Sequence, residues 1–111
     1  MAITFTGTGP GPLTLAIAPT TASVSYSTGG AKGTNSVTGT ASGGTSPYTY
    51  AWTRVSGNTQ PTPTNASGAS TAWTGTPGGS TSWSAVWQLT VTDHLGATAS
   101  GTVDVEFSST S

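Results

Sequence analysis

His94 is the chain's single histidine, and Asp93 directly precedes it in "TDHLG". A histidine base needs a nucleophile within hydrogen-bond reach and an acid to orient its ring. Consecutive positions of a strand or turn point apart, so this pair reads as a turn and not as half of a catalytic set. Asp104 and Glu106 stand two residues apart, which puts both on one face of a strand. Paired carboxylates can hydrolyse glycosides, but acids on the wet face of a terminal strand more commonly keep that strand soluble and unpaired. These three are the only acids, and a calcium site would need all of them to converge with further oxygens. "GTGPGP" lacks the lysine and helix start of a phosphate loop. With no cysteine there is no disulfide, thiolate metal site or cysteine nucleophile. Asn65, Ala66 and Ser67 form an N-glycosylation sequon, which matters only on a eukaryotic secretory route. No catalytic, metal-binding or cofactor-binding residue is assigned, and no cofactor is expected.

What remains is aromatic. Trp52 and Trp87 lie in alternating runs and are assigned to the core. Trp73, in "STAWTG", is assigned first to the core and second to a partner or glycan contact. Trp83 stands where the loop "TPGGSTS" meets a strand and is the leading candidate for an exposed anchor, stacking on a sugar ring or burying in a protein partner.

Charged residues make up 5% of the 111 positions and the net charge is -1, against about 25% charged in average soluble proteins. Glycine and the hydroxyl residues fill that space. Lys32 and Arg54 are the only cations, so binding to nucleic acid by counterion release has no basis. The N-terminal stretch "MAITFTGTGPGPLTLAIAP" has neither a basic region nor a continuous apolar run, which predicts no signal peptide and no membrane insertion.

Period-2 patterning recurs between clusters of Gly, Pro, Asn and Ser, which predicts an all-β chain. Leu13, Leu15 and Ile17 alternate up to Pro19; Ala22, Val24 and Tyr26 follow. Val37, Gly39 and Ala41 then precede Tyr48, Tyr50 and Trp52, and the small residues of the first set suggest a strand paired beside the large rings of the second. Residues 56–70, with two prolines and no periodicity, read as a long surface loop. Trp87, Leu89 and Val91 face one way in the next strand, and Val103, Val105 and Phe107 do so in the last. Between those two, Asp93 can accept backbone N–H bonds and Gly96 can take a positive φ. About seven short strands at this spacing predict an antiparallel β-sandwich.

The runs "SGGTSPYTYAWTRVSG" and "WQLTVTDHLGATASGTVDV" resemble the PKD-like branch of immunoglobulin-like domains, in which a "GG-x-x-PY-x-Y-x-W" strand packs against a "V-x-V-x-D-x-x-G" hairpin. The resemblance spans residues 34 to 107. It implies that Trp52 is the buried core tryptophan with Tyr48 and Tyr50 on its face, and that Leu89, Val91, Asp93 and Gly96 belong to the hairpin. It also implies a spacer or adhesive module without catalytic residues. Strands like "YAWTRVSG" resemble those of domains encoded by tailed bacteriophages, appended to or standing beside capsid and tail proteins.

The expected organisation is an N-terminal arm over residues 1–12, an immunoglobulin-like sandwich over 13–107 and a short tail over 108–111. The expected function is that of a non-enzymatic structural accessory of a phage particle, a capsid decoration or small tail-associated protein. The absence of a leader fits a virion component assembled in the host cytoplasm, present in multiple copies on a symmetric assembly. The alternative is a carbohydrate-binding or adhesion module that touches a bacterial surface glycan.

Overall fold

The computed structural model describes residues 11–110. Most of the expected arm, residues 1–10, therefore lies outside the described residues, as does Ser111.

The longest alternating runs build the main sheet, because each offers one apolar and one polar face to the pleat. Strands β9 (Trp83–Thr92) and β10 (Thr98–Ser109) form an antiparallel hairpin in register from Thr98 opposite Thr92 to Phe107 opposite Trp83. Strand β5 (Thr49–Gly57) pairs with the other side of β9, with a bulge between Arg54 and Ser56. Strand β2 (Thr21–Tyr26) runs parallel to the end of β10 and completes the order β2-β10-β9-β5. The ladder with β2 carries β10 through Ser109, two residues beyond the boundary at 107 expected from the sequence.

The facing sheet has the order β1-β4-β7, from β1 (Thr14–Ala18), β4 (Val37–Ser42) and the two-residue β7 (Ser70–Thr71). A small third sheet joins β3 (Lys32–Gly33), β8 (Trp73–Gly75) and β6 (Thr62–Pro63) in the order β3-β8-β6. Among the described residues the elements are all strands, as the patterning predicts.

Two expectations are corrected. β4 does not pair with β5: β4 lies between β1 and β7, while β5 lies on β9 in the opposite sheet. The chain changes sheets at Gly43 and Gly44, whose φ angles of 71° and 61° are left-handed and bend it into an arch. The small residue on β4 therefore answers a side chain across the sandwich and not one on the next strand. A Cβ on Gly39 would lie 2.3 Å from Leu89 Cδ2. The expected loop over 56–70 in fact contains β6 and the start of β7, strands too short for any periodicity to reveal, and Pro61 within it is fully buried.

The core holds Ala22, Tyr26, Val37, Leu89, Val103, Val105 and Phe107 around three tryptophans. Trp73 stands between the other two, its ring 5.2 Å from Trp52 at 89° and 5.9 Å from Trp87 at 60°. Edge-to-face arrangements of this kind suit the charge distribution of aromatic rings.

Candidate functional site

Asp93 organises one pole of the sandwich. It directly follows β9 and is nearly buried, at 7% exposure. Its Oδ1 accepts from the N–H groups of Leu95 (3.0 Å) and Ala97 (2.8 Å), which closes the turn, and Oδ2 accepts from Thr45 N–H (3.0 Å) across in the arch. His94 N–H returns a bond to Thr45 O at 2.8 Å. Gly96 takes a φ of 92°, as the turn chemistry requires. The sequence correctly marked Asp93 and Gly96 as turn residues; it carried no signal for Thr45, which lies 48 positions away.

Backbone N–H groups take the Asp93 carboxylate, and His94 stands exposed at the turn. Asp104 and Glu106 lie exposed on the outer face of β10 beside an open groove of about 310 Å³ shared with Ser56, Gly57, Ser84, Ala85 and Val86. Asp104 is six residues along β10 from Thr98, which pairs with Thr92 next to Asp93. At ~3.3 Å per residue that separates the acids by roughly 20 Å. The three acids do not converge on one oxygen cage.

Burial raises the Asp93 carboxyl, and the N–H groups of Thr45, Ala97, Leu95 and Gly96 more than reverse this, leaving it below the ordinary 3.8. The folded state therefore holds its proton less readily than the unfolded chain. The stability this gives is complete above the ordinary carboxylate value and is lost as pH falls through the lower folded value. The urea midpoint should fall on acidification below about pH 4, and Asp93→Asn should be less stable at neutral pH and show a flatter profile over that window. Parallel profiles for the two proteins would contradict this account.

The expected aromatic site residues are placed as follows. Trp52 is buried, and its Nε1 donates to Gly68 O at 2.9 Å. Its backbone N–H donates to Ala66 O at 2.9 Å, so the segment carrying the sequon covers the outer edge of β5. Trp87, Leu89 and Val91 are buried as expected, and Tyr50 packs partly buried against them. Tyr48 is corrected from core to arch: it is half-buried and its hydroxyl donates to Gly43 O at 2.6 Å.

Trp73 is corrected as a contact residue, because at 0% exposure it has no surface to offer a partner. Trp83 is half-buried, not a free platform. Its ring lies 5.5 Å from that of Phe107, and a Cβ on Gly75 would fall 2.5 Å from its Cζ3. A glycine in β8 is what lets the ring come this close to the small sheet.

Among the described residues, the exposed large apolar side chains are elsewhere. Leu95 is 77% exposed at the tip of the Asp93 turn, and Val55 is 54% exposed at the bulge in β5. An apolar residue inside a "D-x-L-G" turn was the available signal for Leu95, since a turn gives it nothing to pack against. A second groove of about 590 Å³, lined by Lys32, Gln60, Thr62, Thr74 and Thr76 among others, lies on the small sheet. Lys32 Nζ sits there 5.7 Å from the Tyr26 ring centroid, close enough for a cation–π contact.

The topology and the buried tryptophan cluster define a PKD-like, immunoglobulin-like β-sandwich. The chain is similar to the PKD domain of human KIAA0319, with a TM-score of 0.57 and 15% identity over 98% of this chain and 92% of that one. It is also similar to part of a nucleoside hydrolase-related protein from Saccharophagus degradans associated with carbohydrate metabolism, with a TM-score of 0.58 and 14% identity over 90% of this chain and 26% of that one. At these identities the likeness concerns the fold. No family model matches the chain, and no curated protein does.

Proposed function

We propose that this domain is a non-enzymatic structural accessory of a tailed-phage particle, a capsid decoration or small tail-associated protein that docks through protein–protein contacts. The observation that carries the reading is Leu95. A 77% exposed leucine is held on a turn that Asp93 fastens both to itself and to the arch, so little ordering is lost when a partner buries it. The resemblance of the "YAWTRVSG" strand to phage-encoded domains supports the particle, and a chain with only 5% charged residues suits copies packed close together. Repetition by symmetry would let weak single contacts add up.

Co-sedimentation with phage particles or capsid shells that lack the protein tests this. Saturable binding is expected, with Leu95→Asp weakening it by about tenfold or more, the loss typical of a buried anchor. Binding that ignores Leu95 would remove the pole from the argument; no binding at all would remove the particle.

The groove around Lys32 favours a second reading. Three threonine hydroxyls, a glutamine and one cation could hold a polar bacterial surface glycan, although no exposed ring lines it. Retention on bacterial polysaccharide, abolished by Lys32→Ala with Thr74→Ala, would put this reading first.

A further inference from the structure

Strand β9 separates two ends of the sandwich. It runs from Trp83 to Thr92, next to the Asp93 turn, and its 10 residues at about 3.3 Å each put roughly 30 Å between them. The small sheet packs at the Trp83 end, where Gly75 of β8 stands against the Trp83 ring. Lys32 of β3 is the register partner of Gly75, so the groove of about 590 Å³ on this sheet lies at the end remote from Leu95.

Strand pairing gives the groove its chemistry. Thr74 has Thr62 opposite it on one side and Gly33 on the other. Thr62 and Thr74 therefore stand side by side as exposed hydroxyls, while Gly33 leaves open space next to Lys32. Gln60 adds an amide to the lining. Lys32 supplies its charge, and none of the chain's three acids lines the groove with it. Backbone N–H groups occupy Asp93 at the opposite pole, and Asp104 and Glu106 border the other groove, on β10. The Lys32 ammonium also has a preferred place, over the ring of Tyr26, which is buried in the core and donates its hydroxyl to Thr81 O.

An uncompensated cation among hydroxyls and an amide fits an anion that carries hydroxyls of its own. A carboxylate or phosphate gains a charge-assisted hydrogen bond from the ammonium, and Thr and Gln side chains both donate to and accept from sugar hydroxyls. No aromatic side chain lines the groove, so a neutral sugar finds no ring to stack on. An extended peptide fits poorly, because β3 and β6 at the edges of the small sheet have two residues each and Pro63 of β6 has no N–H to donate.

We propose that the groove beside Lys32 binds an acidic sugar, with its carboxylate or phosphate on the Lys32 ammonium and its hydroxyls on Thr62, Thr74 and Gln60. The inference rests on the glycan reading and narrows it to anionic glycans. Since groove and Leu95 occupy opposite ends, a copy docked by its pole would present the groove outward.

NMR titration of the purified full chain tests this with three probes. These are an oligogalacturonate, its methyl ester, which keeps the hydroxyls and removes the charge, and a phosphate-bearing oligosaccharide. The acid is expected to shift the amides of Gly33, Thr74 and Gly75 and to bind about tenfold or more tighter than the ester. Lys32→Gln should remove that advantage and Lys32→Arg should keep most of it, while Thr74→Val should weaken acid and ester alike. Unchanged amide positions outside the groove will show that each variant is folded. Tighter binding of the phosphate probe than of the carboxylate would support the site and make phosphate its preferred anion. Equal affinity for acid and ester would overturn the proposal and leave a neutral-glycan groove. Arg54 of β5 is the chain's other cation, and a loss on Arg54→Gln as large as on Lys32→Gln would also overturn it, as general charge attraction. No shift with any probe would overturn it together with the glycan reading.

Discussion

Replacing Trp73 with alanine is expected to destabilise the domain by about 3–5 kcal/mol, the range for deleting a large buried aromatic side chain. Small domains are stable by only about 5–15 kcal/mol, so the variant will be marginal or unfolded at moderate temperature. The size of the effect follows from position. Trp73 comes from a three-residue strand, is fully buried, and stands between Trp52 and Trp87, so both neighbours lose an edge contact when it goes.

Phenylalanine in its place separates packing from hydrogen bonding. The Trp73 indole N–H has no acceptor among the described residues, so Trp73→Phe forfeits volume and ring contacts only. Trp52→Phe forfeits in addition the bond to Gly68 O, worth about 0.5–1.5 kcal/mol net, and releases the segment that covers β5. Urea unfolding of the three variants should therefore rank Trp73→Phe as the mildest and Trp73→Ala as the most severe. A Trp73→Ala protein within 1 kcal/mol or so of wild type would mean that the tryptophan cluster is not the centre of the core.

Gly43→Ala is expected to have the second-largest effect, about 2–4 kcal/mol, although it adds a single methyl group. Left-handed backbone costs a residue with a side chain about 1–2 kcal/mol, and crowding adds about 1–3 kcal/mol. Here the crowding is against backbone, with the Pro12 carbonyl oxygen 2.1 Å from the added Cβ, so no side chain can rotate away. The strand end that docks on the arch must move, and with it the start of β1. Gly30 makes a useful control. Its φ is 121° but nothing lies within 4 Å of an added Cβ, so Gly30→Ala carries the backbone term without the clash. Thermal melts that give equal losses at the two positions would show that strain alone, and not the Pro12 contact, explains Gly43.

These two effects also bear on docking. Gly43, Tyr48, Thr45 and Asp93 form one fastened unit at the pole that presents Leu95. A change at Gly43 should therefore disturb the proposed partner contact as well as the fold, whereas Leu95→Asp should disturb only the contact. The contrast gives a way to read any particle-binding data without confusing a damaged domain with a damaged interface.

The local features of this domain were legible in its residues. Alternation is a property of the pleated backbone, so the faces of β2, β9 and β10 followed from composition at every second position. The roles of Asp93 and Gly96 were equally local, since an acid and a glycine four positions or fewer apart can close a turn by themselves. Partnership between distant segments was not legible. The small residues of β4 suggested a neighbour with large rings, but Gly39 meets Leu89 from the opposite sheet, a relation set by how the two sheets stack. β6 and β7 exist because the small sheet and β4 supply partners, and two residues hold no period from which a strand could be read.

The aromatic residues divide in the same way. Trp52 and Trp87 lie in long alternating runs and were assigned to the core from sequence, as was Trp73 from a shorter run; what the fold brings against Trp73, and against Trp83 at the first position of β9, was not legible. For Trp83 that was Gly75 and Phe107; for Trp73 it was the other two rings. Residue types and spacing alone determined that this chain is an all-β sandwich with a low-charge surface and a closed Asp93 turn. Only the tertiary structure decided which edges are covered, that Trp73 stands between the other two buried rings and that Trp83 is half-buried against Gly75 and Phe107, because each of these depends on contacts between residues far apart in the chain.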